Sequence, residues 1–155
     1  MAVKIAFYKA PGTFLDKVIR WWEVGSYAHC EMVLQENTDG TYTIASAVPG
    51  IGVRIAENQS LPASDWDFLT VPGDVNKVRA WFEAHAGNAY DYVGLFGFII
   101  RPITIRVRKK FFCSRACLRS LGFKGAWRDD PNAMYDTCSF WANAYSNESV
   151  GAPAS

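Results

Sequence analysis

The chain has 155 residues, half of them apolar and 15% aromatic, which suits one globular domain with a real core and excludes a disordered chain. Sixteen basic residues against fifteen acidic ones leave a formal charge of +1. That balance argues against nucleic acid as a general partner, where a basic excess is the rule. The N-terminus is interrupted by Lys4 and Lys9 and lacks the apolar run of a signal peptide. The longest apolar stretch, residues 93–100, is far short of the roughly 20 residues that a membrane span needs. Four cysteines in such a chain predict reduced thiols and folding in the cytoplasm, whatever the final destination.

In chain order, residues 3–8 alternate as a short strand that Pro11-Gly12 ends. Thr13 caps an expected helix to about Val24, with Gly25 as its stop and Phe14, Val18, Ile19 and Trp22 on one face. Residues 28–35 and 41–48 read as strands joined by the turn Asn37-Thr38-Asp39-Gly40, a hairpin. Short strands are expected at 52–55 and 66–71. Asp74 caps a helix over 75–86, followed by Gly87. Residues 91–100 form an apolar helix before Pro102, and 103–107 look extended. A helix over 114–121 stops at Gly122, and Asp130-Pro131 starts the last one. The order predicts an α+β fold, an antiparallel sheet packed against helices. Residues 1–145 are expected to form a single domain, with 146–155 a flexible C-terminal tail.

Cys113 lies in Phe111-Phe112-Cys113-Ser114-Arg115-Ala116-Cys117-Leu118, at the expected start of a helix. There the positive end of the backbone dipole favours a thiolate, and Arg115 would act the same way. A thiolate nucleophile needs a base, and the chain has two histidines. His29 begins a strand whose period of two puts His29, Glu31 and Val33 on one face and Cys30 on the other. Glu31 is thereby set to orient the His29 ring, the third role in a nucleophile–base–orienter arrangement. The same residues also suit purely structural roles, Cys113 as a small buried hydrophobe and His29 as a strand residue.

The order of the motifs separates these readings. Phe112-Cys113-Ser114-Arg115-Ala116-Cys117-Leu118 resembles the nucleophile helix of the NlpC/P60 hydrolases. Ala28-His29-Cys30-Glu31-Met32-Val33-Leu34, then Thr43-Ile44-Ala45-Ser46 and Gly52-Val53-Arg54, resemble their histidine strand, the next strand and its closing Gly-Val-Arg. Here the cysteine follows the histidine by more than eighty positions. That is the order of the circularly permuted branch, which includes YiiX-like and lecithin:retinol acyltransferase-like proteins. Ala86-Gly87-Asn88-Ala89-Tyr90-Asp91-Tyr92 is similar to the Gly-x-x-Tyr-Asp segment of that branch, and small phage-encoded members are the ones the chain most resembles. Two positions depart from the pattern. The family's third polar residue falls at Ile44, which cannot orient an imidazole, so Glu31 is the substitute and Ser46 the weaker option. Arg115 stands where related sequences often carry glutamate.

The resemblance implies a permuted papain-like fold and a thiol hydrolase acting through Cys113, His29 and Glu31, with no cofactor. Its substrate would be a bacterial cell-wall peptide amide or an acyl bond. The rival readings are a lipid or N-acyl acyltransferase and a non-catalytic binding or virion-assembly module with virion proteins as partners. Zinc is disfavoured, since His29 and His85 are lone residues rather than close pairs. Cys117 and Cys138 read as core, His85 as a helix-end or surface residue, and Tyr8 and Tyr90 as outside candidates for oxyanion donors. Residues 93–110, apolar and then basic, are a buried helix with a solvated strand or a peripheral contact with membrane or anionic polymer.

Overall fold

The computed structural model describes residues 1–10, 26–89, 113–124 and 130–150. The elements expected over 13–24, 91–100 and 103–107 lie outside the described residues, as do Tyr90 and the basic run after residue 100.

Among the described residues, five strands form one antiparallel sheet of order β4-β3-β2-β1-β5. They are β1 (Ala2–Tyr8), β2 (His29–Glu36), β3 (Tyr42–Val48), β4 (Gly52–Gln59) and β5 (Trp66–Pro72). The β2–β3 hairpin closes as its turn residues require: Gly40 takes φ +82° and donates to the Asn37 carbonyl at 3.1 Å. β4 runs past the expected end at residue 55, because its partner β3 continues to pair with it as far as Tyr42↔Gln59.

The helices among the described residues are α1 (Val75–His85), α2 (Cys113–Ser120) and α3 (Pro131–Val150). The two aspartates expected to cap do so. Asp74 accepts from Asn76 N at 2.9 Å, and Asp130 accepts from Asn132 N and Ala133 N at 2.9 and 2.8 Å. α3 continues to Val150, so residues 146–150, expected as the start of a loose tail, are helical. The class is α+β.

The helices cover one face of the sheet, α1 over β4, α2 over β2 and β3, and α3 over β5. Alternation supplies that face with Phe7, Met32 and Val53, which meet Phe82, Leu118 and Met134 from the helices, all essentially solvent-free. Each such side chain contributes roughly 1.5–3 kcal/mol on burial. α2 sits between the sheet and the other two helices and is buried at almost every position, Cys113 through Leu118 included. On the opposite face Ala6, Val33, Ile44 and Leu61 form a second apolar cluster with Trp66 and Phe68 against it. Among the described residues no helix is long and apolar enough to cross a membrane.

Candidate active site

The start of β2 is held from several directions. Tyr27 N donates to Asn132 Oδ1 at 2.9 Å while Asn132 Nδ2 donates to the Tyr27 carbonyl at 3.1 Å. The Tyr27 hydroxyl donates to Asp67 Oδ2 at 2.7 Å, and its ring lies 4.5 Å from that of Tyr135. Ala28 N donates to the Tyr8 carbonyl, which starts the β1 ladder at Tyr8↔His29. These contacts join β1, β5 and α3 to the two residues before His29 and so fix where its ring begins.

His29 and Glu31 share a face, as the period of two requires, and His29 Nε2 lies 3.1 Å from Glu31 Oε1. The carboxylate is buried, 5% exposed, whereas a fifth of the His29 side chain meets solvent. Ser46 Oγ donates to the same Oε1 at 3.3 Å, and Arg54 Nη2 lies 3.9 Å from it. Ile44 is in the second apolar cluster opposite Val33.

Cys113 is the first residue of α2 and 4% exposed. Its sulfur interacts with the Cys30 thiol, the Cys30 backbone N–H and the His29 ring. Alternation sends His29 and Cys30 to opposite faces, yet both reach one sulfur. The β2–β3 ladder accounts for this. It begins at Met32↔Ala45 and leaves the Cys30 amide free to donate to Cys113 instead. A sulfur bonded to that amide lies near the plane of the sheet at a strand edge, where side chains of both faces can meet it.

The electrostatics follow from these contacts. The hydrogen bond from the Cys30 thiol holds Cys113 well below the ordinary thiol range, and His29 adds to the lowering, together against the effect of burial. Burial opposes a charge on His29, but the Cys113 sulfur and Glu31 outweigh it and raise the ring well above the usual imidazole value. Burial first, and then the contact with Cys113, push the Cys30 thiol up, so it remains protonated and donating. Both shifts favour charge separation between Cys113 and His29, with the buried Glu31 carboxylate beside the ring.

Cys113, His29 and Glu31 are therefore brought together from α2 and β2. Tyr8 pairs opposite His29 and packs on Trp66 with ring centroids 5.0 Å apart. His85 stacks on Trp81 at 4.0 Å and donates from Nδ1 to the Trp81 carbonyl at 2.7 Å, a helix-end role. Cys117 and Cys138 are reduced thiols buried in the core. Arg115, expected to act on the thiol, is buried on α2, and the lowering of Cys113 comes from Cys30 and His29. The part played by Cys30 was not visible in the sequence, because it depends on where the β2–β3 ladder stops. No protein-family model matches the chain, and no curated protein matches it.

Proposed function

We propose that this chain is a thiol hydrolase of the permuted NlpC/P60 kind, cleaving an amide or ester through a thioester on Cys113. The observation that carries the reading is the Cys113–His29 pair with Glu31 behind it. The Cys113 thiolate attacks the carbonyl carbon, and the π pair moves onto oxygen. The Cys113 N–H at the start of α2 is a suitable donor for that oxyanion. As the intermediate collapses, the C–N or C–O bond breaks and the leaving group takes the proton held by His29. His29 then deprotonates water, which attacks the thioester and returns the thiolate and the acid product. With Nε2 committed to Glu31, Nδ1 is the nitrogen left for these transfers.

The resemblance favours peptide amides of the bacterial cell wall as substrate, with lipid or N-acyl amides as the next class. A binding or virion-assembly module that keeps the fold is the rival, and it has no need of an ionised thiol.

The test is the rate of Cys113 alkylation by iodoacetamide against pH, read by mass spectrometry in wild type and His29→Ala. Cys113 is only 4% exposed, so the absolute rate reflects access as well as ionisation. The pH of half-maximal rate isolates ionisation. It is expected well below the reference thiol value of about 8.5 in wild type and higher than wild type in His29→Ala. A wild-type profile like that of an ordinary thiol would leave the hydrolase reading without support and favour the binding module.

A further inference from the structure

The carboxylate behind His29 is itself placed by residues of two further strands. The register Met32↔Ala45 sets Glu31 across from Ser46, and Ser46 pairs with Arg54. Glu31, Ser46 and Arg54 thus form one row across β2, β3 and β4. Strands stand about 4.8 Å apart, so a residue on β4 must span roughly two spacings to reach β2, and arginine has the length. Its guanidinium, 30% exposed on the side chain, brings a positive charge from the rim to 3.9 Å from Glu31 Oε1. That one oxygen also receives His29 and Ser46. Glu31 Oε2 is buried with no hydrogen-bond partner, and so is Arg54 Nε.

We propose that Arg54 is a positioning residue acting through Glu31: its charge holds the buried carboxylate in place and directed at the His29 ring, with Ser46 as a second support. The proposal rests on the reading of Cys113 and His29 as the reacting pair. A carboxylate taken out of water stays charged only beside a compensating charge or several donors. His29 cannot serve alone, because it passes its proton to the leaving group during each turnover. Arginine keeps its charge throughout, so the Glu31 side chain still has a partner fixing its direction when the ring is neutral. The remaining groups around the carboxylate do not replace it. β1 contributes Ala6 opposite Glu31 and Tyr8 opposite His29, β3 contributes Ser46, and α2 contributes Cys113, which interacts with the ring.

The experiment compares wild type, Arg54→Gln, Arg54→Lys, Ser46→Ala and His29→Ala by the pH profile of Cys113 alkylation. Arg54→Gln is expected to move the half-maximal pH up by about one unit, an about tenfold slower reaction at pH 6. Arg54→Lys, which keeps the charge, should recover most of that loss, and Ser46→Ala should show a smaller shift. A folded Arg54→Gln variant with the wild-type profile overturns the proposal. A residue that merely supports the fold would change stability and leave the profile in place. If His29→Ala shifts the profile while Arg54→Gln does not, the reacting pair stands and only the role of Arg54 falls. If His29→Ala leaves it unchanged, both fall. A measurement on the unaltered chain covers the case in which Arg54→Gln does not fold. Slowed guanidinium rotation at Arg54 by NMR is expected, and rotation as free as that of an exposed arginine overturns the proposal.

Discussion

His29 Nε2 and Glu31 Oε1 lie 3.1 Å apart, although the two residues belong to the same strand. Positions i and i+2 of a strand are separated by nearly 7 Å along the backbone, so the contact forms only because both side chains lean toward each other on one face. Glu31→Gln keeps the size of the side chain and removes its charge. It is expected to raise the half-maximal pH of Cys113 alkylation by about one unit or more, about tenfold in rate at pH 6. Circular dichroism and the thermal midpoint serve as the check that the fold is retained. An unchanged profile in a folded Glu31→Gln protein would remove Glu31 from the site.

Cys30 makes a separate demand. Its thiol is fully buried, 3.9 Å from Cys117 Sγ and 3.7 Å from Met134 Sδ, and it also donates to Cys113. Cys30→Ala deletes that donor and leaves the backbone N–H in place. Cys113 is then expected to titrate higher than in wild type. The small cavity should cost on the order of 1 kcal/mol, read as a lower midpoint in urea. A loss of stability without any shift in titration would mean that Cys30 only fills space.

The strands, the hairpin and the two aspartate caps were legible in the sequence because alternation and capping are local. β4 beyond residue 55 was not, since Glu57 and Asn58 are exposed and polar and give no apolar rhythm at the sheet edge. The end of α3 was hidden for a similar reason: Asn147, Glu148 and Ser149 look like loop residues, and only the continuing backbone makes them helical. At the site, Cys113, His29 and Glu31 announce themselves by residue type and by one strand's period. Cys30 and Arg54 do not. One depends on a ladder that stops short of a strand end, the other on a register carried across two strand pairs.

Tyr27 ties the approach to His29 to the far side of the sheet. Burial, followed by the bond to Asp67, pushes its hydroxyl far above the usual phenol range, so it remains a donor. The Lys9 ammonium at 2.6 Å, with Tyr27, holds Asp67 below the usual carboxylate value. A carboxylate lowered on folding stabilises above its unfolded value of about 3.9, and that stabilisation is lost as pH falls through the folded value. Tyr27→Phe should therefore cost about 1 kcal/mol at pH 7, and less at an acid pH low enough to protonate Asp67 in the folded protein. Urea unfolding of both proteins at the two pH values measures the difference. An equal cost at both would mean that the Asp67 bond is not what Tyr27 contributes.

Gly52 opens β4 two residues before Arg54, with φ +91°. A Cβ there would stand 2.2 Å from the Asn88 carbonyl oxygen, closer than any real contact. That carbonyl accepts from Val53 N at 2.9 Å, while Gly87 N donates to the Val53 carbonyl at 3.0 Å, so the turn after α1 is stitched to the start of β4. Gly50 provides an internal comparison: its φ is +79°, and a Cβ there would meet nothing within 4 Å. Alanine at either position carries the backbone strain of a left-handed residue, on the order of 1–3 kcal/mol. Only at Gly52 must a backbone carbonyl also move, which breaks the Val53 hydrogen bond at a further cost of about 1 kcal/mol. Gly52→Ala is expected to lower the unfolding free energy by at least that much more than Gly50→Ala, and to loosen β4 where it presents Arg54. Urea titrations of the two variants decide it, with hydrogen exchange at the Val53 and Gly87 amides as the local readout. Equal costs, with both amides still protected, would mean that the turn yields around the new methyl group and that glycine is needed at position 52 for its backbone angle alone.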